Sequence, residues 1–284
     1  MNTEMGSFLG RVRPPHVQAW QPTLVRASAP RWGAEDREAV GLMLEAYRAR
    51  LLATPHALAT LESSAIATAA IDALGLGFAD RKVGLALPKG DTYEGAQLRG
   101  RLQRVGLLRA SGHGHLNGAL VAPVVDARGR VVDVYGRKIT PKLRSGSAYH
   151  LSLYDPPQGV FNLAGIARSD EAVICNDLLD ALAFWSAGVR NVTTTVGPRG
   201  FTDGHLRALA AFEVKRVVVA FSTNPIEDRY ARMVAQALDA AGIECRRMCL
   251  PRDVGGTGAA LHELVRAATP YRFQAGKLVE EAGR

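Results

Sequence analysis

From Glu171 onward the chain alternates short apolar, β-branched runs with amphipathic stretches of helical period. Strands are predicted near 171–175, 190–196, 215–221 and 243–249. Helices are predicted near 177–187, 202–213, 225–241 and 257–268. Strands this apolar need cover on both faces, and strand–helix–strand crossovers supply it. The alternation therefore predicts a parallel sheet flanked by helices. In such a sheet, two neighbouring strand ends that each feed a helix are where a divalent-metal site is built. Here those ends read Cys175-Asn176-Asp177 and Phe221-Ser222-Thr223-Asn224. Asn176, Ser222 and Asn224 are uncharged.

The preceding part follows a different plan. Residues 1–34, with prolines at 14, 15, 22 and 30, have no period and read as an extended arm. Val40, Leu44, Tyr47 and Leu51 recur at helical spacing over Glu35–Thr54. Helical character continues to Leu74, and Gly75-Leu76-Gly77-Phe78 closes the segment. A second helix is expected over Tyr93–Leu108. A hairpin follows, with strands Ala119–Val125 and Arg130–Ile139 about the turn Asp126–Gly129. The expected division is an arm at 1–34, a basic α+β lobe at 35–165, a parallel-sheet lobe at 166–254, and a C-terminal helix and tail at 255–284.

Charge is unevenly placed along the 284 residues, whose formal net charge is +8. Residues 81–168 hold fourteen Lys/Arg against five Asp/Glu, or +9. Residues 170–254 hold ten against eleven, or −1. A basic middle suits a polyanion, and equally a solvated arginine-rich surface. Three cysteines, Cys175, Cys245 and Cys249, form no framework, which argues for a reducing compartment. The spacing of Cys245 and Cys249 puts both on one side of a strand, as buried thiols rather than a zinc site. No apolar run is long enough to span a membrane, and residues 1–15 lack an apolar signal core. A cytoplasmic location without membrane contact is expected.

Several segments together carry a resemblance. Gly75-Leu76-Gly77-Phe78 closes the lead-in helices, and Ala86-Leu87-Pro88-Lys89 precedes the helix with Glu94-Gly95 and Leu98. The hairpin ends in Val134-Tyr135-Gly136-Arg137-Lys138, and Val160-Phe161-Asn162 precedes the parallel-sheet lobe. In order and spacing, over roughly residues 40–255, these resemble the catalytic core of bacterial-type DNA primase. That core is a basic lobe followed by a topoisomerase–primase (Toprim) domain. The resemblance implies an α/β fold with an antiparallel hairpin sheet before a Toprim-like parallel sheet.

It also implies a chemistry. In that family one glutamate, an Asp-x-Asp pair and a later acidic cluster hold divalent metal, which clamps triphosphate and growing 3′ oxygen. The glutamate falls on Asn176 and the pair on Ser222 and Asn224. The later cluster falls on Gly255-Gly256-Thr257, and only the helical Asp180 is retained. Neutral oxygens bind magnesium poorly, so no cofactor is expected. Magnesium belongs only to an alternative in which Asp177, Asp180, Glu227 and Asp228 form a relocated site. Against it, Asp177 suits a helix cap, and Glu227 and Asp228 suit a first helical turn. The family's zinc ribbon has no counterpart, because no cysteine precedes Cys175.

Arg137, Lys138, Lys142 and Arg144 are the candidate phosphate contacts, with Tyr149 and His150 in the same loop. In the resemblance this hairpin borders the template groove. The family's lysine-tyrosine-asparagine segment is replaced by His150-Leu151-Ser152. Arg199, in Gly197-Pro198-Arg199-Gly200 between a strand and a helix, is a further phosphate candidate. Arg99, Arg101, Arg104 and Arg109 read as a solvated stripe. His113 and His115 lack metal-ligand partners at the required spacing. Trp20 and Trp32 read as anchors for the arm, on the core or on a partner.

Three functional readings follow. The first is a primase-derived protein without metal catalysis that binds DNA or RNA, single-stranded or as a primer-template. It would be an accessory in replication, recombination or mobile-element biology. The second is an active primase with relocated acids. The third is a protein-interaction module.

Overall fold

The computed structural model describes residues 32–140, 143–250, 260–274 and 277–279. Three helices open the chain, α1 Ala34–Leu52, α2 Pro55–Ser63 and α3 Ala69–Ala73. Pro55 is expected from the sequence to end one helix or start the next, and the chain breaks there and once more before α3. Pro55 lacks an amide hydrogen and starts α2, and Ala65 takes a left-handed φ of 52° after it. Strand β1 Gly77–Ala79, helix α4 Tyr93–Arg104, and strands β2 Ala119–Val125, β3 Val131–Lys138 and β4 His150–Leu151 complete the first lobe.

These strands form one antiparallel sheet in the order β1-β2-β3-β4. The predicted hairpin is its centre. Asp126 Oδ1 accepts from the amides of Arg128 and Arg130, which closes the turn. The segment 75–78 does more than end helices, since Gly77 begins β1. A Cβ at Gly77 would lie 2.5 Å from Cβ of Tyr47 on α1, so only glycine lets helix and strand approach this closely.

After α5 Leu163–Ile166 comes the alternation that the sequence predicts. The elements are β5 Glu171–Cys175, α6 Leu178–Ser186, β6 Val192–Thr194, α7 Asp203–Ala211, β7 Arg216–Ser222, α8 Pro225–Ala240 and β8 Glu244–Leu250. Strands β6-β5-β7-β8 are parallel in that order. The C-terminal region adds helix α9 Leu261–Arg266 and also strands, unlike the helix and tail expected there. Strand β9 Thr269–Pro270 pairs antiparallel to β8 at the sheet edge. Strands β10 Arg272–Gln274 and β11 Lys277–Val279 pair with each other. No helix among the described residues is long and apolar enough to cross a membrane.

Side chains along the parallel strands alternate between two cores. Val173, Cys175, Val218, Ala220 and Met248 pack with α6. Ala172, Ile174, Val217, Val219, Phe221 and Cys245 pack with α7 and α8. The first of these cores also contains Leu61, Ile71, Phe78, Val124 and Tyr135 from the antiparallel lobe. The two lobes therefore share a core, and each large side chain buried there contributes about 1.5–3 kcal/mol of transfer energy. Cys245 is a buried free thiol, as expected, and Cys175 is another; burial raises the Cys245 thiol pKa. The side chain of Cys249 lies outside the described residues.

Candidate nucleic-acid interface

The parallel strand ends open toward the antiparallel lobe at two corners. At the first, Asp177 caps α6, its Oδ1 accepting from the Leu179 amide at 2.9 Å. Its Oδ2 accepts from Arg137 Nε at 2.6 Å, across the boundary between the lobes. Asn176 is 4% exposed, and its Oδ1 is buried with no hydrogen-bond partner. Asp180 lies one turn along α6. Burial raises its carboxyl to about 7; the charges of Asp177 and Glu227 add to the shift and Arg137 opposes it.

The second corner joins β7 to α8. Asn224 is the cap, its Oδ1 accepting from the Ile226 and Glu227 amides at 3.1 and 3.0 Å. Pro225 follows at the first helical position, where a missing amide hydrogen costs nothing. Glu227 and Asp228 occupy the first turn, and Glu227 Oε2 is buried without a partner. Arg247, on β8 and 6% exposed, reaches under this corner. Its guanidinium donates to the carbonyls of Val219, Phe221, Ser222 and Met248, and to Asp228 Oδ1 at 2.9 Å. Sequence reasoning missed Arg247. The available signal was a charged residue at an inward-facing position of a predicted strand.

Magnesium takes about six hard oxygen ligands and draws its charge balance from carboxylates. Three of the oxygen-bearing side chains here are already engaged. Asn224 is consumed as a cap, while Asp177 and Asp228 each pair with a guanidinium. Among the described residues, no three His, Cys, Asp or Glu side chains group so as to hold a metal ion. Gly255, Gly256 and Thr257 lie outside the described residues.

The basic candidates have different surroundings. Arg137 is half-buried between Asp177 and the Lys138 carbonyl, and its guanidinium carbon lies 5.1 Å from the Tyr149 ring centroid. It braces the two lobes. Lys138 donates to the Asn117 carbonyl; burial lowers its pKa, and the Arg109 charge adds to this. Arg144, Tyr149 and Arg199 are exposed. Lys142 lies outside the described residues. The structure therefore leaves Arg144 and Arg199 open to a ligand and uses Arg137 internally.

The expected solvated stripe is partly a set of structural ties. Arg99 donates to the carbonyls of Pro88 and Gly84, Arg104 pairs with Asp36, and Arg101 pairs with Glu35. Arg109 remains exposed. His115 Nε2 meets the Ser152 carbonyl at 3.0 Å, and His113 is exposed. Trp32 is buried and donates to the Tyr154 hydroxyl at 2.7 Å, so it anchors on the core. Trp20 lies outside the described residues.

Between the lobes lies a cleft of about 650 Å³. His150 and Tyr154 line it from the antiparallel lobe, and Arg199, Arg229 and Tyr230 line it from the other. The wall from 152 to 158 is held by Asp133, which is 1% exposed. Asp133 accepts from the Val134, Leu153 and Gln158 amides and from the Ser152 hydroxyl. Burial raises its carboxyl to about 6 despite those four donors. His150 Nδ1 meets the Tyr135 hydroxyl at 2.6 Å, and burial lowers the imidazole pKa.

The same fold occurs in solved proteins. Residues 173–256 match the Toprim-like family model. The zinc-binding and RNA polymerase domains of Aquifex aeolicus primase superpose with a TM-score of 0.68 at 21% identity, over 83% of this chain and 61% of that one. This chain thus spans about three-fifths of the Aquifex structure. A DnaG primase catalytic domain bound to single-stranded DNA gives 0.64 at 17% identity, over 84% of each chain. The RNA polymerase domain of Mycobacterium tuberculosis DnaG, in complex with double-stranded DNA carrying a 6-nucleotide overhang, gives 0.64 at 21% identity, over 84% of this chain and 82% of that one. No curated protein matches the sequence. The chain carries a Toprim-like region within the fold of bacterial primase catalytic cores.

Proposed function

We propose that this protein binds nucleic acid on the primase-core fold without carrying out two-metal nucleotidyl transfer. Its role would be that of an accessory factor in DNA replication, recombination or mobile-element biology. The observation that carries this reading is the fate of the strand ends. Asn224 stands where a metal ligand is expected and spends its side-chain oxygen capping α8. Asp228 beside it is committed to Arg247, and Asp177 at the other corner to Arg137. Partner class is argued from the fold. The similar structures include primase domains holding single-stranded DNA and overhang-bearing duplex. Exposed Arg144 and Arg199 are available as phosphate contacts, and exposed Tyr149 as a stacking ring.

One observation favours the alternative, an active nucleotidyltransferase with relocated acids. Asn176 Oδ1 and Glu227 Oε2 are both buried without partners, and the charge of Glu227 bears on Asp180. Two measurements decide. Fluorescence anisotropy with single-stranded and primer-template oligonucleotides is expected to give binding that weakens steeply with salt. Primer synthesis with magnesium or manganese is expected to be absent. Synthesis abolished by Asp180→Ala would establish the active enzyme instead. No retention of DNA or RNA at low salt would leave a protein-interaction module.

A further inference from the structure

The cleft between the lobes holds chemistry that the strand ends do not. Its roughly 650 Å³ falls within the range of small-ligand and cofactor sites. Asn176, Asp180, Ser222 and Asn224 are not among its lining residues, so it is separate from the place where the fold would build a metal centre.

Two guanidinium groups line it, Arg199 from the loop between β6 and α7 and Arg229 from α8. Neither has a hydrogen-bond or ion-pair partner among the described residues. Arg137 is engaged with Asp177, Arg207 with Asp203 and Arg247 with Asp228. The cavity's one carboxylate is Asp155, so its lining is net positive. The rest is largely flat and apolar, with Phe201, Tyr230 and Pro198 among the walls. A bare inorganic anion leaves those walls unused, and an apolar molecule leaves two cations uncompensated. A phosphate joined to a flat ring uses both.

We propose that this cavity binds one nucleotide unit, its phosphate held by Arg199 and Arg229 and its base against Tyr230 and Phe201. The unit comes either as a free nucleotide or as the phosphorylated end of a strand. The inference rests on the nucleic-acid reading only for the strand form. Guanidinium groups hold phosphate by charge-assisted, often bidentate hydrogen bonds. Aromatic rings stack on a base without regard to its identity.

The test uses the full chain without added metal. Calorimetry compares adenosine 5′-monophosphate with adenosine and with inorganic phosphate. Anisotropy compares short thymidine oligonucleotides bearing a 5′-phosphate or a 5′-hydroxyl. Adenosine 5′-monophosphate or the phosphorylated strand is expected to bind about tenfold or more tighter than its truncated counterparts. Arg199→Gln with Arg229→Gln is expected to remove that advantage. Tyr230→Ala is expected to weaken adenosine 5′-monophosphate binding while leaving phosphate binding unchanged. Arg232→Gln, an exposed cation on α8 that does not line the cleft, serves as the control and leaves all affinities unchanged. Equal binding of the phosphorylated and unphosphorylated ligands, or an unaffected double variant, overturns the proposal. If strands bind through Arg144 but gain nothing from a 5′-phosphate, and adenosine 5′-monophosphate does not bind, this inference fails and the proposed function stands. If adenosine 5′-monophosphate binds and no strand does, the outcome is reversed.

Discussion

At the scale of single residues, buried carboxyls set the pH response. Asp180 and Asp133 hold their protons to about 7 and about 6 in the folded state, against a carboxyl's ordinary 3.8. Between pH 4 and 7 these two carboxyls therefore bind more protons in the folded chain than in the unfolded one, and their own contribution to stability falls as pH rises; His205, lowered to about 4 by burial, acts in the opposite sense over the same window. Denaturant unfolding of the native chain and of Asp180→Asn from pH 4 to 7.5 is expected to show the variant gaining stability relative to the native chain as pH rises. The shift from 3.8 to about 7 sets an upper limit of about 4 kcal/mol on that gain at pH 7.5; a stability difference that does not change with pH would refute the assignment. Asn224 gives a second test. As a helix cap its replacement by alanine costs about 1 kcal/mol, while Asn224→Asp, an equally good cap, is nearly neutral in thermal melts. A large loss in Asn224→Asp would show that the residue has another structural duty.

At the scale of elements, two arginines tie structures that the chain order separates. Arg247 binds β8 to the end of β7 and to the first turn of α8. Removing it leaves Asp228 and several carbonyls short of a buried donor. Arg247→Met is expected to cost about 3–5 kcal/mol in chemical denaturation, and a cost near that of a surface substitution would contradict this role. Arg137 joins β3 to the α6 cap. A double-mutant cycle of Arg137→Ala and Asp177→Ala is expected to give a coupling of about 1–3 kcal/mol. Zero coupling would mean that the pair does not brace the lobes.

At the scale of the whole molecule, the shared core decides cooperativity. Leu61, Ile71 and Phe78 from one lobe pack with Ala181, Leu182 and Phe184 from the other in a single cluster. Neither lobe can unfold without exposing apolar surface of its neighbour. One calorimetric transition is expected, with enthalpies from calorimetry and from van't Hoff analysis in agreement. Two resolved transitions would show independent domains.

Much of the parallel lobe was legible along the chain. Strands β5, β7 and β8 and helices α6 and α8 fall close to the alternation of apolar runs and amphipathic stretches, because period and capping act over a few residues. Asp177 as a cap and the central hairpin were equally local readings. The short strands β1, β4 and β9 were not, since two or three residues carry no period and become strands only by pairing with a neighbour. The uncharged strand ends at Asn176, Ser222 and Asn224 stand in the sequence itself. That Arg137 answers Asp177 forty residues away, and that Arg199 and Arg229 share one cavity, only the tertiary structure decided. Local preferences act within a turn or a strand, whereas the partners of a charge are chosen by packing between segments far apart in the chain.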